Sequence, residues 1–179
     1  SFTNYTLMAV PTNKSGNFAS GNILVEYKYR RNDAGKVTAT YVDADTGATL
    51  HAAIEQDGSR KLGLPYDTDQ KSFVNYDLIA VPSNKSGNFG TAQILVEYKY
   101  RRQNAGDVTA TYVDVDTNTA LHAPEVQSGA RKLGLPYDTD QKVFNYYELI
   151  TVPTNKSGNF ESGNILVEYK YRRNDAGKV

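Results

Sequence analysis

Residues 93–101 read Gln-Ile-Leu-Val-Glu-Tyr-Lys-Tyr-Arg. In an extended chain successive side chains point to opposite faces, so Ile94, Val96, Tyr98 and Tyr100 share one side, with Leu95, Glu97, Lys99 and Arg101 on the other. Apolar and aromatic residues on one side against mostly charged ones on the other predict a half-buried strand. The run Ile-Leu-Val-Glu-Tyr-Lys-Tyr-Arg-Arg occurs three times, at residues 23–31, 94–102 and 165–173, each 71 positions from the last. Pro11, Pro82 and Pro153 keep that spacing, as do Gly35, Gly106 and Gly177. Aligning 35–105 with 106–176 needs no gap and leaves 49 of 71 positions identical. The chain therefore reads as a tandem array.

A period of 71 exceeds the roughly 20–50 residues of common solenoid repeats and suits a small domain with its own core. Residues 35–105 and 106–176 are expected to be two full units. Residues 1–34 match the second half of a preceding unit, and 177–179 begin a further one. Opening in mid-unit reads as a segment of a longer array. The polar link at 101–106 is too short for free rotation, which predicts an elongated rod.

Within a unit, Val37-Thr-Ala-Thr-Tyr-Val-Asp43 alternates and is expected as the first strand. Asp43-Ala-Asp-Thr-Gly47 reads as a turn, with a second strand over 49–54. Residues 58–71 are irregular, broken by Gly63 and Pro65, with one helical turn expected over 67–71. A strand over 76–81 ends at Pro82, and Asn84-Lys-Ser-Gly87-Asn reads as a tight turn with Gly87 at positive φ. The unit is mainly β, with four principal strands.

Composition narrows the function. Of 179 residues, 20 are Lys or Arg and 20 are Asp or Glu, a balance that excludes a generic nucleic-acid binder. No Cys means no disulfide, no thiolate nucleophile and no zinc–thiolate site. The longest apolar runs fall far short of the roughly 20 residues needed to insert in a membrane.

The order Val-Thr-Ala-Thr-Tyr-Val-Asp, Gly-Leu-Pro-Tyr, Tyr-Asp-Leu-Ile-Ala-Val-Pro, Asn-Lys-Ser-Gly-Asn-Phe and Ile-Leu-Val-Glu-Tyr-Lys-Tyr resembles the MucBP (mucin-binding protein) repeat. The likeness covers both full units and the half unit. It departs where the family's Gly before the third-motif Tyr is replaced by Asn75 and Tyr146. The resemblance implies tandem α+β, β-grasp-like (ubiquitin-like) domains of a Gram-positive cell-surface adhesin, typically from lactic-acid bacteria. It further implies an extracellular, wall-anchored protein whose signal peptide and anchor lie outside these residues.

The only histidines, His51 and His122, occupy one repeated position, and no nucleophile or metalloprotease signature accompanies them. No enzyme and no cofactor are expected. Asp43-x-Asp45-x-Gly47 and Asp114-x-Asp116-x-Asn118 resemble the start of a calcium loop. The twelfth position, where an EF-hand needs Glu, holds Ile54 in one unit and Glu125 in the other. A hairpin turn is the favoured reading of both, with Asp43, Asp45, Asp114 and Asp116 kept as weak calcium candidates. Leu64-Pro-Tyr-Asp-Thr68 lacks the Thr and Gly of a sortase signal and recurs at Leu135, so it is not an anchor.

Loops on a rigid scaffold commonly carry binding, which makes Tyr66, Asp67, Tyr137 and Asp138 candidates for glycan contact, against the alternative, suggested by the family pattern, of a tyrosine plugging the end of the core. The paired Arg101, Arg102, Arg172 and Arg173 are candidates for anionic glycans. Three functions stay open on the residues: a weak, multivalent adhesin for host mucin or other glycoprotein glycans, a non-binding stalk, or a repeat appended to a secreted cell-wall enzyme. Neighbouring repeats are the other expected partners.

Overall fold

The computed structural model describes residues 1–56, 58–127 and 129–175. The expected start of a further repeat, 177–179, lies outside them. The chain divides into two compact units, Ser1–Phe73 with Leu78–Arg101, and Val74–Asp77 with Arg102–Val179.

In residues 35–105 a four-stranded sheet forms from β3 (Val37–Asp43), β4 (Thr49–Glu55), β6 (Tyr76–Ala80) and β8 (Ile94–Arg102), in the order β4-β3-β8-β6. The β3–β4 hairpin is antiparallel. Strand β8 runs parallel to β3, with Ile94 opposite Val37 and Tyr98 opposite Tyr41. The second repeat builds the same sheet from β9 (Val108–Asp114), β10 (Ala120–Val126), β12 (Tyr147–Thr151) and β14 (Ile165–Arg173). No helix occurs among the described residues.

The inner face carries Val37, Ala39, Tyr41, Val96, Tyr98 and Tyr100, all buried. Tyr41 stacks on Tyr98 with centroids 5.3 Å apart, and Tyr112 stacks on Tyr169 at the same distance. A buried phenol needs a partner for its hydroxyl, and here the irregular segment supplies it. Tyr98 Oη donates to Thr68 O at 2.8 Å, Tyr41 Oη to Asp69 O at 2.8 Å and Tyr100 Oη to Lys71 O at 2.6 Å.

Those bonds correct the helical turn expected over 67–71. Carbonyls that a helix would satisfy internally are taken by tyrosines of the sheet. The segment instead begins in a short strand, β5 (Pro65–Asp67), paired antiparallel with β7 (Ser86–Asn88). The second repeat repeats this with β11 (Pro136–Asp138) and β13 (Ser157–Asn159). Among the described residues, each full repeat thus adds two short strands to the four principal ones.

Gly87 is also corrected. It lies in β7 and is not among the positive-φ residues. A Cβ there would come 3.2 Å from Tyr66 Oη, so glycine is needed for close approach of the ring. The residues at positive φ include Asn4, Asn75 and Tyr146, at 65°, 65° and 68°. These fill the family's glycine position and keep its left-handed turn, at some strain for the tyrosine.

Residues 1–34 form a two-stranded sheet, β1 (Tyr5–Ala9) with β2 (Lys28–Arg31). Of the repeated run at 23–31, only Lys28–Arg31 is strand here. Phe2, Met8, Phe18, Ile23, Leu24 and Tyr27 are exposed.

Candidate functional site

The loop tyrosines are not presented to solvent. Tyr66 and Tyr137 are 7% and 8% exposed, pack edge-on against Phe89 and Phe160, and donate to Asn84 O and Asn155 O. They close the end of the core, so neither ring is presented for glycan contact. Their neighbours Asp67 and Asp138 are exposed and pair with Lys85 at 3.1 Å and Lys156 at 2.6 Å. Each carboxylate raises the pKa of its lysine by hydrogen bond and charge.

The arginine pairs divide by position. Arg101 Nε lies 3.1 Å from Asp45, and Arg172 Nε 3.6 Å from Asp116. Within the second unit, Arg102 lies 4.7 Å over the Tyr76 ring and donates to Leu133 O at 2.9 Å. Arg31 does the same in the first unit, over Tyr5 and onto Leu62 O. The second arginine of these pairs thus holds a Leu-Gly turn. Arg173, opposite Tyr147 on the neighbouring strand, is exposed.

At the hairpins, Asp43 Oδ1 accepts the Asp45 and Thr46 amides, and Asp114 Oδ1 accepts the Asp116 amide at 2.9 Å. That amide, with the Thr117 side chain and amide and the Tyr147 hydroxyl, holds the Asp114 carboxyl below the usual range. These carboxylates serve the turn, and among the described residues no three acidic, His or Cys groups converge on a metal position.

A site nobody would place from motifs alone lies between the β4 edge and the 68–71 segment. In the first repeat a groove of about 160 Å³ is lined by Ala39, Tyr41, Ile54, Glu55, Thr68 and Lys71. In the second, a groove of about 430 Å³ occupies the same place, lined by Ala110, Tyr112, Glu125, Gln127, Thr139 and Asp140. The tyrosine in each lining is Tyr41 or Tyr112, stacked on the buried Tyr98 or Tyr169, and burial chiefly pushes the Tyr41 and Tyr112 phenols upward in pKa. Both linings carry a glutamine, Gln56 or Gln127; Lys71 Nζ sits 5.7 Å over Tyr41, and Lys142 Nζ 5.5 Å over Tyr112. His51 and His122 stand edge-on to the same rings.

In the second groove Glu125 accepts from Lys142 Nζ at 2.8 Å and from Tyr112 Oη at 3.2 Å. The lysine hydrogen bond lowers the Glu125 pKa. The sequence signal for this residue is the one-position shift of an acid between aligned units, Ile54-Glu55 against Glu125-Val126.

Comparison with known proteins assigns these repeats. The MucBP domain family matches residues 1–30, 36–101 and 107–172. Internalin J of Listeria monocytogenes serotype 4b is 36% identical over 176 residues, covering 96% of this chain and 19% of its own. Internalin J of serovar 1/2a is 35% identical over 175 residues, covering 95% and 20%. The chain therefore spans about a fifth of the length of these relatives. Among solved structures, domains 3-4 of the Streptococcal High Identity Repeats in Tandem (SHIRT) type align at a TM-score of 0.38 and 12% identity, over 79% of this chain and 99% of theirs. The type 2 repeat of the mucus binding protein MUB from Lactobacillus reuteri aligns at 0.27 and 12%, over 78% and 100%.

Proposed function

The chain belongs to the MucBP domain family, and from that premise we propose that it is a segment of an extracellular adhesin whose repeats bind mucin or other glycoprotein glycans weakly and in parallel. A non-enzymatic surface repeat is the class that the family match and the internalin relatives support. Attachment to a cell wall belongs to the same proposal, with the anchor outside these residues. The mixed sheet, a hairpin whose first strand pairs parallel with the last, supports reading each repeat as β-grasp-like with the helix replaced by a tyrosine-held loop.

The observation that carries the binding reading is recurrence. One open polar groove stands in the same place in both full repeats, lined by the same alanine, tyrosine, glutamine, threonine and aspartate positions. Weak sites repeated along a chain gain avidity of about 10²–10⁴ when the geometry allows joint engagement. The test is binding of the full chain to mucin immobilised at graded density. Retention that rises steeply with density, and that falls away when soluble mucin glycans compete, is expected. Absence of retention at every density would defeat the reading. That outcome would favour the spacer, for which one observation speaks: Tyr66, Tyr137 and Arg102 are engaged inside the fold.

A further inference from the structure

The two grooves differ by a coordinated substitution. On β4, Ile54 stands opposite Ala39 and Glu55 opposite Thr38. On β10, Glu125 stands opposite Ala110 and Val126 opposite Thr109. Directly opposed residues in an antiparallel pair point to the same face. Ala39 and Ala110 belong to the buried inner face, so Ile54 and Glu125 project to the face that carries the groove and Glu55 and Val126 to the opposite one, while all four residues border the opening. Exchanging the order of one acid and one aliphatic residue has carried a carboxylate across the sheet.

A second change accompanies it. In the first repeat Glu55 pairs with Arg60 and with Lys36 at 2.8 Å. In the second, where position 126 is Val, Arg131 pairs with Asp107, which stands where the first repeat has Lys36. The outer arginine thus keeps an acidic partner although the original acid has moved inward. Three of the 22 differences between the repeats, at 36/107, 54/125 and 55/126, form one compensated set. Drift at unrelated surface positions does not restore partners in this way.

The result is a groove with a particular chemistry. Glu125 lines it, Lys142 lies 2.8 Å from that carboxylate and 5.5 Å over the Tyr112 ring, and His122 Nδ1 is 3.9 Å from the same carboxylate. Gln127 and the 139–140 segment complete the lining. A carboxylate accepts two hydrogen bonds side by side, and an ammonium donates to a neighbouring oxygen. Adjacent hydroxyls of a neutral sugar ring offer that complement, donating to the acid and accepting from the lysine. Charge-assisted bonds of this kind are about twice as strong as neutral ones. A sugar carrying its own carboxylate would meet Glu125 as a like charge.

We propose that the groove of the second repeat is a binding site for the vicinal diol of a neutral pyranose, with Glu125 and Lys142 as its recognition pair, and that the first repeat's groove, with Ile54 in that place, does not bind the diol. This rests on the adhesin reading and gives it a residue-level site in one repeat of the two.

The test is an amide NMR titration of the full chain with methyl β-galactoside, methyl α-mannoside and, separately, N-acetylneuraminic acid. Saturable shifts at Glu125, Gln127 and Asp140 with at least one neutral glycoside are expected. Ile54, Gln56 and Asp69 should stay still, and the acidic sugar should give no saturable shifts. Glu125→Gln, which keeps the shape, should weaken binding about tenfold, the loss of one charge-assisted hydrogen bond. The double exchange E125I/V126E should abolish it, and K36D/I54E/E55V should create a second responding groove. Equal response of both grooves, binding unchanged by Glu125→Gln, or no saturable shifts with either neutral glycoside would overturn the proposal. Mucin retention measured on the same variants separates the two readings: retention untouched by E125I/V126E overturns this site and leaves the adhesin standing.

Discussion

Residues 23–31 and 94–102 are the same nine amino acids in two settings. In the second setting all nine form strand β8, with Ile94 through Tyr100 bonded in parallel register to Val37 through Asp43. In the first, only Lys28–Arg31 is strand, paired on one side with Tyr5–Ala9. Tyr98 is fully buried while Tyr27 is 47% exposed, and Val96 is buried while Val25 is 36% exposed. Strand propensity is equal by construction, so the difference comes from the neighbour. A partner strand on the open side and a tyrosine-held loop across the inner face turn a marginal hairpin into a core.

The largest effect should come from truncating the central tyrosine. Tyr98→Ala should destabilise the first full repeat by about 3–5 kcal/mol in urea unfolding, as for other large buried aromatic residues. Tyr27→Ala should change stability by less than about 0.5 kcal/mol, as at ordinary surface positions. Comparable losses at the two sites would break the contrast.

A smaller effect isolates the hydroxyl. Tyr98 Oη donates to Thr68 O and lies 2.9 Å from Thr68 Oγ1. Tyr98→Phe should cost about 1–3 kcal/mol, because it leaves buried acceptor groups without a donor. Tyr27→Phe should be neutral within error. If Tyr98→Phe were also neutral, the tyrosine hydroxyls would not be what holds the 68–71 segment.

These elements were unequally legible in sequence. Strands β3 and β8 could be read directly, since each alternates over seven or more residues and buries one face as its period requires. The turn at Asp43 was legible because Asx chemistry is local. Strands β5 and β7 were not, because three residues carry no period and their pairing joins segments some 20 positions apart. The non-helical course of 67–71 depends on hydroxyls nearly 30 positions away. Gly87 looked like a turn glycine, yet the reason for it is the Tyr66 ring above it. At the candidate site, the loop position of Tyr66 and Tyr137 left glycan contact and a plug at the end of the core both open, because it says nothing of the ring's direction. Glu125 was visible only as a one-residue offset whose meaning depends on strand facing.

The smallest expected effect is a pH dependence confined to a full repeat. The Asp116 amide, the Thr117 side chain and amide and the Tyr147 hydroxyl depress the folded pKa of Asp114 below its unfolded value. A depressed carboxyl contributes stability that is complete above the unfolded value, near 4, and is lost as pH falls through the folded one. Asp114→Asn should therefore flatten the acid limb of the second repeat's stability curve below about pH 4. Residues 1–34 contain no counterpart of this aspartate; their one depressed carboxyl, Asp33, is held down by its hydrogen bond from Lys61, so its signals should titrate unchanged by Asp114→Asn. An acid limb unchanged by the substitution would remove the turn carboxylate from the account.

The most direct test of the central claim, that a parallel partner decides whether these nine residues form a strand, is amide hydrogen exchange on the monomeric chain. Amides of residues 95–100 should exchange slowly, with the global opening of the first repeat, while those of residues 24–27 exchange at nearly the free-chain rate. Equal protection of the two stretches in the same sample would contradict it.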